Sequence, residues 1–348
     1  MTSGMEQSGT AVSRRKRNWH RFKRSRRGYY SLLIFLTLLV ISLFAELISN
    51  DVPLLVRFEG SYYFPVIKSY PETTFGGDFE TETDYKDPLF RELIEGEGNY
   101  VLFPLIPHNY NSINFEIDGP VPSPPTPDNL LGTDDRGRDV LARVIYGFRL
   151  SVLFGLALTA MGTVIGIIAG GVQGFLGGRV DLMSQRFIEI WGAMPELYLL
   201  IIFASIFQPS VLLLFVLLSL FSWMGLSDYV RAEFLRGRNM EYVKAAKALG
   251  VGSITIMWRH LLPNSMTPVI TFMPFRISAA ILALTSLDFL GLGVPPSTPS
   301  LGELLAQGKA NIDAWWLSLS SFSILVITLV LLIFIGEALR DTYDPRKK

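Results

Sequence analysis

The sequence contains no cysteine and only three histidines. The first absence excludes a disulfide framework, thiolate metal sites and cysteine nucleophiles. His20, His108 and His260 stand far apart and match no metal-binding spacing, so each is expected to be structural or incidental. Charge is scarce as well. Asp, Glu, Lys and Arg make up 18% of 348 residues, apolar residues make up 49%, and mean hydropathy is +0.35. An ordinary soluble domain carries more charge than this. The 31 basic and 31 acidic residues cancel, so no overall field favours nucleic acid or acidic ligands. The zinc-protease pattern HExxH and the hydrolase pattern GxSxG are missing. The nearest approach to a phosphate loop is Gly308-Lys309, but Glu303 stands where the motif needs glycine and Ala310 where it needs Ser or Thr. The chain is therefore expected to be no enzyme and to hold no metal or cofactor of its own.

What is present is a series of long apolar runs separated by unevenly charged segments. Residues 1–28 carry Arg14, Arg15, Lys16, Arg17, Arg21, Lys23, Arg24, Arg26 and Arg27 against Glu6 alone. Next to the uncharged run Tyr29–Ala45, this reads as the positive-inside flank of a first span, not as a nucleic-acid arm or a cleaved signal peptide. Residues 50–148 form a polar excursion. Its first part is acidic, with Asp78, Glu80, Glu82, Asp84, Asp87, Glu92, Glu95 and Glu97 against Lys86 and Arg91, and a loop so poor in Lys and Arg after a basic N-terminus is expected outside the cytoplasm. Aromatic clusters such as Tyr62-Tyr63-Phe64 argue against full disorder there, and Gly119 to Pro127 reads as an extended spacer. Val140, Leu141, Val144, Ile145 and Phe148 mark an interfacial helix ahead of the next span.

Residues 150–178 hold no charge, and Gly162, Gly166, Gly170, Gly174 and Gly178 recur every fourth residue. Small residues at this step let helix backbones pack closely in lipid. A third span is expected over about 184–207, holding Glu189, Pro195 and Glu196, and a fourth over about 211–229. The basic loop that follows, with Arg231, Arg236, Arg238, Lys244, Lys247 and Arg259, is expected in the cytoplasm. Within it, Tyr242, Ala245, Ala246 and Leu249 fall on one helical face that Gly250 terminates. Ser253 is positioned to cap a second short helix, and Pro263 to open the fifth span, which holds Pro268, Pro274 and Arg276. Trp315 and Trp316 read as interfacial anchors before a last span ending near Ile335.

Four segments resemble the permease subunits of bacterial ABC importers, in particular the peptide and nickel branch. Lys244-Ala245-Ala246, Gly250, His260 and Leu262-Pro263 resemble the EAA loop, with lysine for the family's glutamate and histidine for its isoleucine. Leu131-Gly132-Thr133-Asp134, Gly137-Arg138-Asp139, Arg143, Gly147 and Arg149-Leu150-Ser151 resemble the signature that precedes the second span. Residues 284–308 resemble the stretch closing the fifth span, with Asp288 where much of the family has serine, and the C-terminal EALRDTYDPR is similar too. The long acidic insert looks most like the Yej-type oligopeptide permeases.

This resemblance implies an all-α polytopic type I importer permease with six spans. Its parts are a basic cytoplasmic N-terminus (1–28), a first transmembrane helix (29–49), a periplasmic insert with interfacial helix (50–148), a permease core with spans 2–6 (149–336) and a cytoplasmic C-terminus (337–348) in a bacterial inner membrane. Implied partners are a homologous permease, ABC ATPase subunits holding ATP and magnesium, a periplasmic peptide-binding protein and membrane lipid. Coupling to the ATPase falls to Glu241, Lys244, Ala245, Ala246, Leu249, Gly250, Leu262 and Pro263. Helix packing is assigned to Gly162, Gly166, Gly170 and Gly174. Arg276 and Asp288 are candidates for the translocation path, since a charge inside a span usually faces a cavity. Twelve residues, about 18 Å of helix, separate them. A self-sufficient secondary transporter is the alternative, with Glu189, Glu196, Arg276 and Asp288 as its candidate ion-coupling groups.

Overall fold

The computed structural model describes residues 14–94, 98–115, 117 and 119–343. The first thirteen residues of the basic N-terminal segment, Glu95 and Glu97 of the acidic run, and the chain after Tyr343 lie outside the described residues.

Helix α1 (Arg14–Arg24) turns at Ser25 into α2 (Arg26–Leu43), and the short α3 (Ala45–Ile48) follows. The excursion after it is folded. Strands β1 (Leu55–Phe58) and β2 (Ser61–Tyr63) form a hairpin around Glu59 and Gly60, both at positive φ, as a two-residue hairpin turn requires. Strand β3 (Tyr100–Leu102) pairs antiparallel with the other side of β1. A 3-10 turn (Glu72–Phe75) and α4 (Pro88–Ile94) cover this sheet. Fully buried Phe75 meets the rings of Phe58, Tyr63, Tyr70, Tyr85 and Phe90. Aromatic packing thus gives this small unit a core. It is tied down where the chain leaves α3: the Ser49 hydroxyl donates to the His108 carbonyl, and the Tyr146 hydroxyl donates to the Ser49 carbonyl.

Helix α5 (Val140–Leu176) is one unbroken helix of 37 residues. The expected interfacial helix is therefore not separate but the first turns of the second span. The Asp139 carboxylate caps it by accepting from the Ala142 amide at 2.8 Å. Gly147 does not break it, because the backbone of residues 300–301 packs against that glycine. The expected third span is two helices, α6 (Gly178–Gly192) and α7 (Glu196–Ile206), bent by 63°. Pro195 lies in the break, where its ring cannot continue α6. Helices α8 (Val211–Ser222) and α9 (Met224–Gly237) together carry the fourth apolar stretch eight residues beyond its expected end. Arg231 and Arg236, read from sequence as loop residues, therefore stand on the last turns of α9.

Helix α10 (Glu241–Ala248) precedes α11, which runs from Ser253 to Phe289. The expected second short helix is part of α11. Pro263 offers no amide to residue 259, and residues 256–261 adopt a wider π-helical turn instead of breaking. Helix α12 (Leu301–Ala310) and α13 (Trp315–Tyr343) complete the chain, α13 continuing past Ile335. Among the described residues, five helices are long and apolar enough to cross a membrane, or six if the bent α6–α7 pair is one span. Helix α5 is central, packing on α2, α6, α8, α9, α11, α12 and α13.

Candidate coupling surface and the buried latch

Helix α10 ends as its sequence dictates. Gly250 has φ +78°, the Gly250 amide donates to the Lys247 carbonyl, and the Val251 amide donates to the Ala246 carbonyl, both at 3.0 Å. These two bonds make the left-handed helix stop that glycine permits without strain. The face that is buried differs from the expected one. Val243 and Ala246 enter a core with Phe175 of α5, Leu226, Val230 and Phe234 of α9, and Ile256, Met257 and Leu261 of α11. The Lys247 ammonium lies over the Phe175 ring. Tyr242, Ala245 and Leu249 point outward, Leu249 being 83% exposed. Ala246 is thus buried in the chain's own packing. The wide turn at 256–261 shifts the next face in the same manner, burying Ile256, Met257 and Leu261 and leaving Ile254 and Trp258 exposed. An apolar outer surface results, formed by Met240, Tyr242, Leu249, Ile254 and Trp258. Glu241 and Lys244 form a solvent-exposed ion pair at 2.9 Å, which adds little stability. Leu262 is half-buried and Pro263 exposed.

This surface rests on a stiff support. The glycine stripe of α5 lies along α9 and the preceding turn. A Cβ on Gly166 would sit 3.0 Å from the Trp223 carbonyl, and one on Gly174 would sit 2.5 Å from the Arg231 carbonyl. The contacts advance four residues at a time on both helices, so the stripe stays on one partner. Gly177 and Gly178, both at positive φ, make the turn that ends it. The Arg231 guanidinium grips the Asp181 carboxylate with two bonds of 2.5 and 2.8 Å, tying α9 to α6. The Arg238 guanidinium reaches the carbonyls of Gly174 and Phe175, satisfying the end of α5.

At the other end of α5, sequence reasoning missed a cluster. Arg138 and Arg143 are almost fully buried. Arg138 bonds Asp134 through Nε at 2.7 Å, the Pro296 carbonyl at 2.7 Å, and Glu303 at 3.4 Å. Arg143 bonds Glu303 at 2.5 Å and the carbonyls of Tyr110 and Thr298. Burial pushes the Glu303 carboxyl above its usual range, and the two arginines oppose that shift. The Trp316 indole donates to the Thr133 carbonyl at 3.1 Å, so Trp316 is buried here instead of lying at an interface, whereas Trp315 is exposed. The segments 131–149 and 284–308 are therefore one latch, joined by charges about 160 residues apart in sequence. Arginines between apolar runs were the available signal, but nothing in their spacing named Glu303.

Asp288 belongs to this latch. It is buried at the end of α11, where it accepts from the Val294 amide at 2.9 Å and from the Ser300 hydroxyl. It closes the loop between α11 and α12, and its carboxylate is taken up by these two bonds. Arg276 lies elsewhere. Its guanidinium donates to the Ser222 carbonyl at the end of α8 at 2.8 Å and passes over Gly162. Glu189 pairs with Arg186 on an exposed face, and Glu196 opens α7. The structure does not bring these four charges together. Among the described residues no His, Asp and Glu group could hold a metal ion.

Residues 162–348 match the family described as "Binding-protein-dependent transport system inner membrane component". The chain belongs to this family. Residues 13–58 match the N-terminal transmembrane domain of oligopeptide transport permease C. The chain is 53% identical to the inner membrane ABC transporter permease protein YejE of Escherichia coli K12, over 94% of this chain and 96% of that protein. It is 50% identical to the peptidoglycan transport system permease protein YejE of Agrobacterium fabrum, over 95% of this chain and 93% of that one. It is 37% identical to the dipeptide transport system permease protein DppC of Haemophilus influenzae, over 64% and 76%. Among solved structures, an inward-facing MetNI methionine ABC transporter aligns at TM-score 0.47 and 15% identity, over 59% of this chain and 97% of that one. The permease-family match takes in the glycine seam, α10 and Glu303. Asp134, Arg138 and Arg143 lie between the two matched stretches. Membership of a transport-component family and the long apolar helices agree on a multi-pass inner-membrane protein.

Proposed function

We propose that this chain is the membrane-spanning permease subunit of an ATP-driven, binding-protein-dependent importer of oligopeptides. Two of the relatives are named for dipeptide and peptidoglycan transport, the N-terminal match is named for oligopeptide transport, and peptide is the chemistry common to these names. The chain crosses the membrane six times, the bent α6–α7 pair making the third span. The basic segment at α1 and the loop around α10 face the cytoplasm, and the acidic insert faces outward. A homologous permease completes the translocation path, ABC ATPase subunits hold ATP and magnesium, and an external binding protein delivers the peptide. Closure of the ATPases on ATP moves α10. The seam between α5 and α9 then carries that motion into the spans, which alternate access to a central cavity. Glu241, Lys244, Ala245, Leu249 and Gly250 present the coupling surface, Ala246 holds α10 to its own subunit, and Leu262 and Pro263 begin the path into α11.

The observation that carries this reading is an exposed apolar face on a helix locked to the core of a chain with no nucleotide motif. Self-sufficient secondary transport is not favoured, because Asp288 is spent on the latch and Arg276 makes no ion pair among the described residues. The test is a single cysteine in the naturally cysteine-free chain. Ala245→Cys should crosslink to an ATPase subunit in the assembled importer, and Ala246→Cys should not. The opposite preference, or crosslinking only to the external binding protein, overturns the assignment. Gly250→Val should insert in the membrane but lose peptide uptake, since a β-branched residue resists φ +78°.

A further inference from the structure

The coupling reading leaves one strongly charged surface unused, at the opposite end of the chain. In α1 and the start of α2, the side chains of Lys16, Arg17, Lys23, Arg24, Arg26 and Arg27 are exposed. None of the six makes an ion pair among the described residues. The arrangement is ordered. Lys16, His20 and Lys23 follow at steps of four and three along one line of α1, and Arg17 and Arg24 follow on the next line. The apolar side of α1 is fixed: Phe22 is buried, Trp19 stacks on it at the edge of the charged face, and α1 packs against α13. The cations are therefore held in place on a docked helix.

The surface below them identifies the occupant. Arg26, Tyr30, Leu33, Ile34, Thr37 and Ile41 follow at helical spacing on one exposed face of α2. A guanidinium at the head of an outward apolar strip one span long matches an anionic headgroup above acyl chains. An acidic protein would meet the cations but not the strip, and nucleic acid would meet neither the strip nor the exposed Trp19. We infer that α1 and the first turn of α2 form a binding site for an anionic phospholipid, with arginines on its phosphate and the α2 strip along its acyl chains. This inference needs only that α2 crosses the membrane; it does not depend on peptide as the cargo or on α10 as the coupling helix.

The test uses the full chain purified in a neutral detergent. Dioctanoyl phosphatidylglycerol and dioctanoyl phosphatidylcholine are titrated separately, and the thermal unfolding midpoint is read. Phosphatidylglycerol should raise the midpoint in a saturable, salt-sensitive way, and phosphatidylcholine should not. The variant K16Q/R17Q/K23Q/R24Q should weaken the half-saturating phosphatidylglycerol concentration by roughly a hundred-fold or more. Glycerol 1-phosphate separates a lipid site from a free-phosphate site and should leave the midpoint unchanged. Equal responses to the two lipids overturn the inference with no variant needed. So does a full response to glycerol 1-phosphate, or an undiminished response in the variant. Loss of ATPase co-purification by the variant with its lipid response intact would assign the surface to a protein instead.

Discussion

Gly170 and Gly171 are adjacent, both buried in α5, and differ only in what lies beyond them. A Cβ on Gly170 would meet the Ser227 carbonyl at clashing range, Val230 Cβ at 2.9 Å and the Arg231 amide at 3.0 Å. The first and last of these are backbone, so α9 itself would have to move. A Cβ on Gly171 would meet only the Phe234 ring, at 3.3 Å and beyond, and a ring edge can tilt by a few tenths of an ångström. Changing either glycine to alanine brings the same gain in helix propensity, about 1 kcal/mol. Overpacking a tight site costs about 1–3 kcal/mol, and the upper end applies where the obstacle is backbone. Gly171→Ala should therefore be neutral or mildly stabilising, with Gly170→Ala about 2 kcal/mol less stable than it. At about 2 °C per kcal/mol for a chain of this size, the midpoints should differ by roughly 4 °C. The assay is thermal unfolding of the two variants side by side in one detergent. Gly174→Ala should resemble Gly170→Ala. Gly162→Ala should be milder, because two of its three nearest neighbours are side-chain atoms, of Ser222 and Arg276. Equal midpoints for Gly170→Ala and Gly171→Ala would refute close backbone contact between α5 and α9.

Other outcomes follow from the same geometry. Thr73→Cys, exposed on the insert, should react with an impermeant maleimide in intact spheroplasts, and Ser253→Cys only after lysis; the reverse pattern rejects the proposed topology. Arg143→Met leaves Glu303 without its nearest cation, and breaking such a buried pair should cost about 3–5 kcal/mol; a midpoint like that of the wild type would show the latch to be slack. Adding Glu303→Leu should recover part of that loss. Tyr85, packed in the aromatic core of the insert, has its hydroxyl pushed up to about 12 by burial. Its folded pKa lies above the unfolded value near 10, so its contribution is complete below about pH 10 and is lost as pH rises through about 12. Absorbance titration of the wild type should show a late-ionising component near pH 12 that is reduced in Tyr85→Phe, and identical late titration in the two proteins would contradict the burial.

The sequence by itself determined what each segment is made of. Uncharged runs near span length, the bias of Lys and Arg between segments, and the four-residue glycine step are local properties, and they suffice for apolar helices, charge asymmetry and a close-packing seam. The stop at Gly250 was legible for the same reason, since only nearby backbone decides it. Tertiary structure decided everything that depends on partners distant along the chain or on helix phase. Glu303 meets Arg143 because α12 folds back onto the start of α5, and no periodicity encodes that meeting. Asp288 had the composition of a pore charge and became a loop clamp once Val294 and Ser300 were brought to it. On α10 the pattern of Tyr242, Ala245, Ala246 and Leu249 was real, but which side faced inward was set by Phe175 and the rings and aliphatic chains of α9 and α11. A helical face is an angle along one element. Its direction in space is fixed only when another element is packed against it.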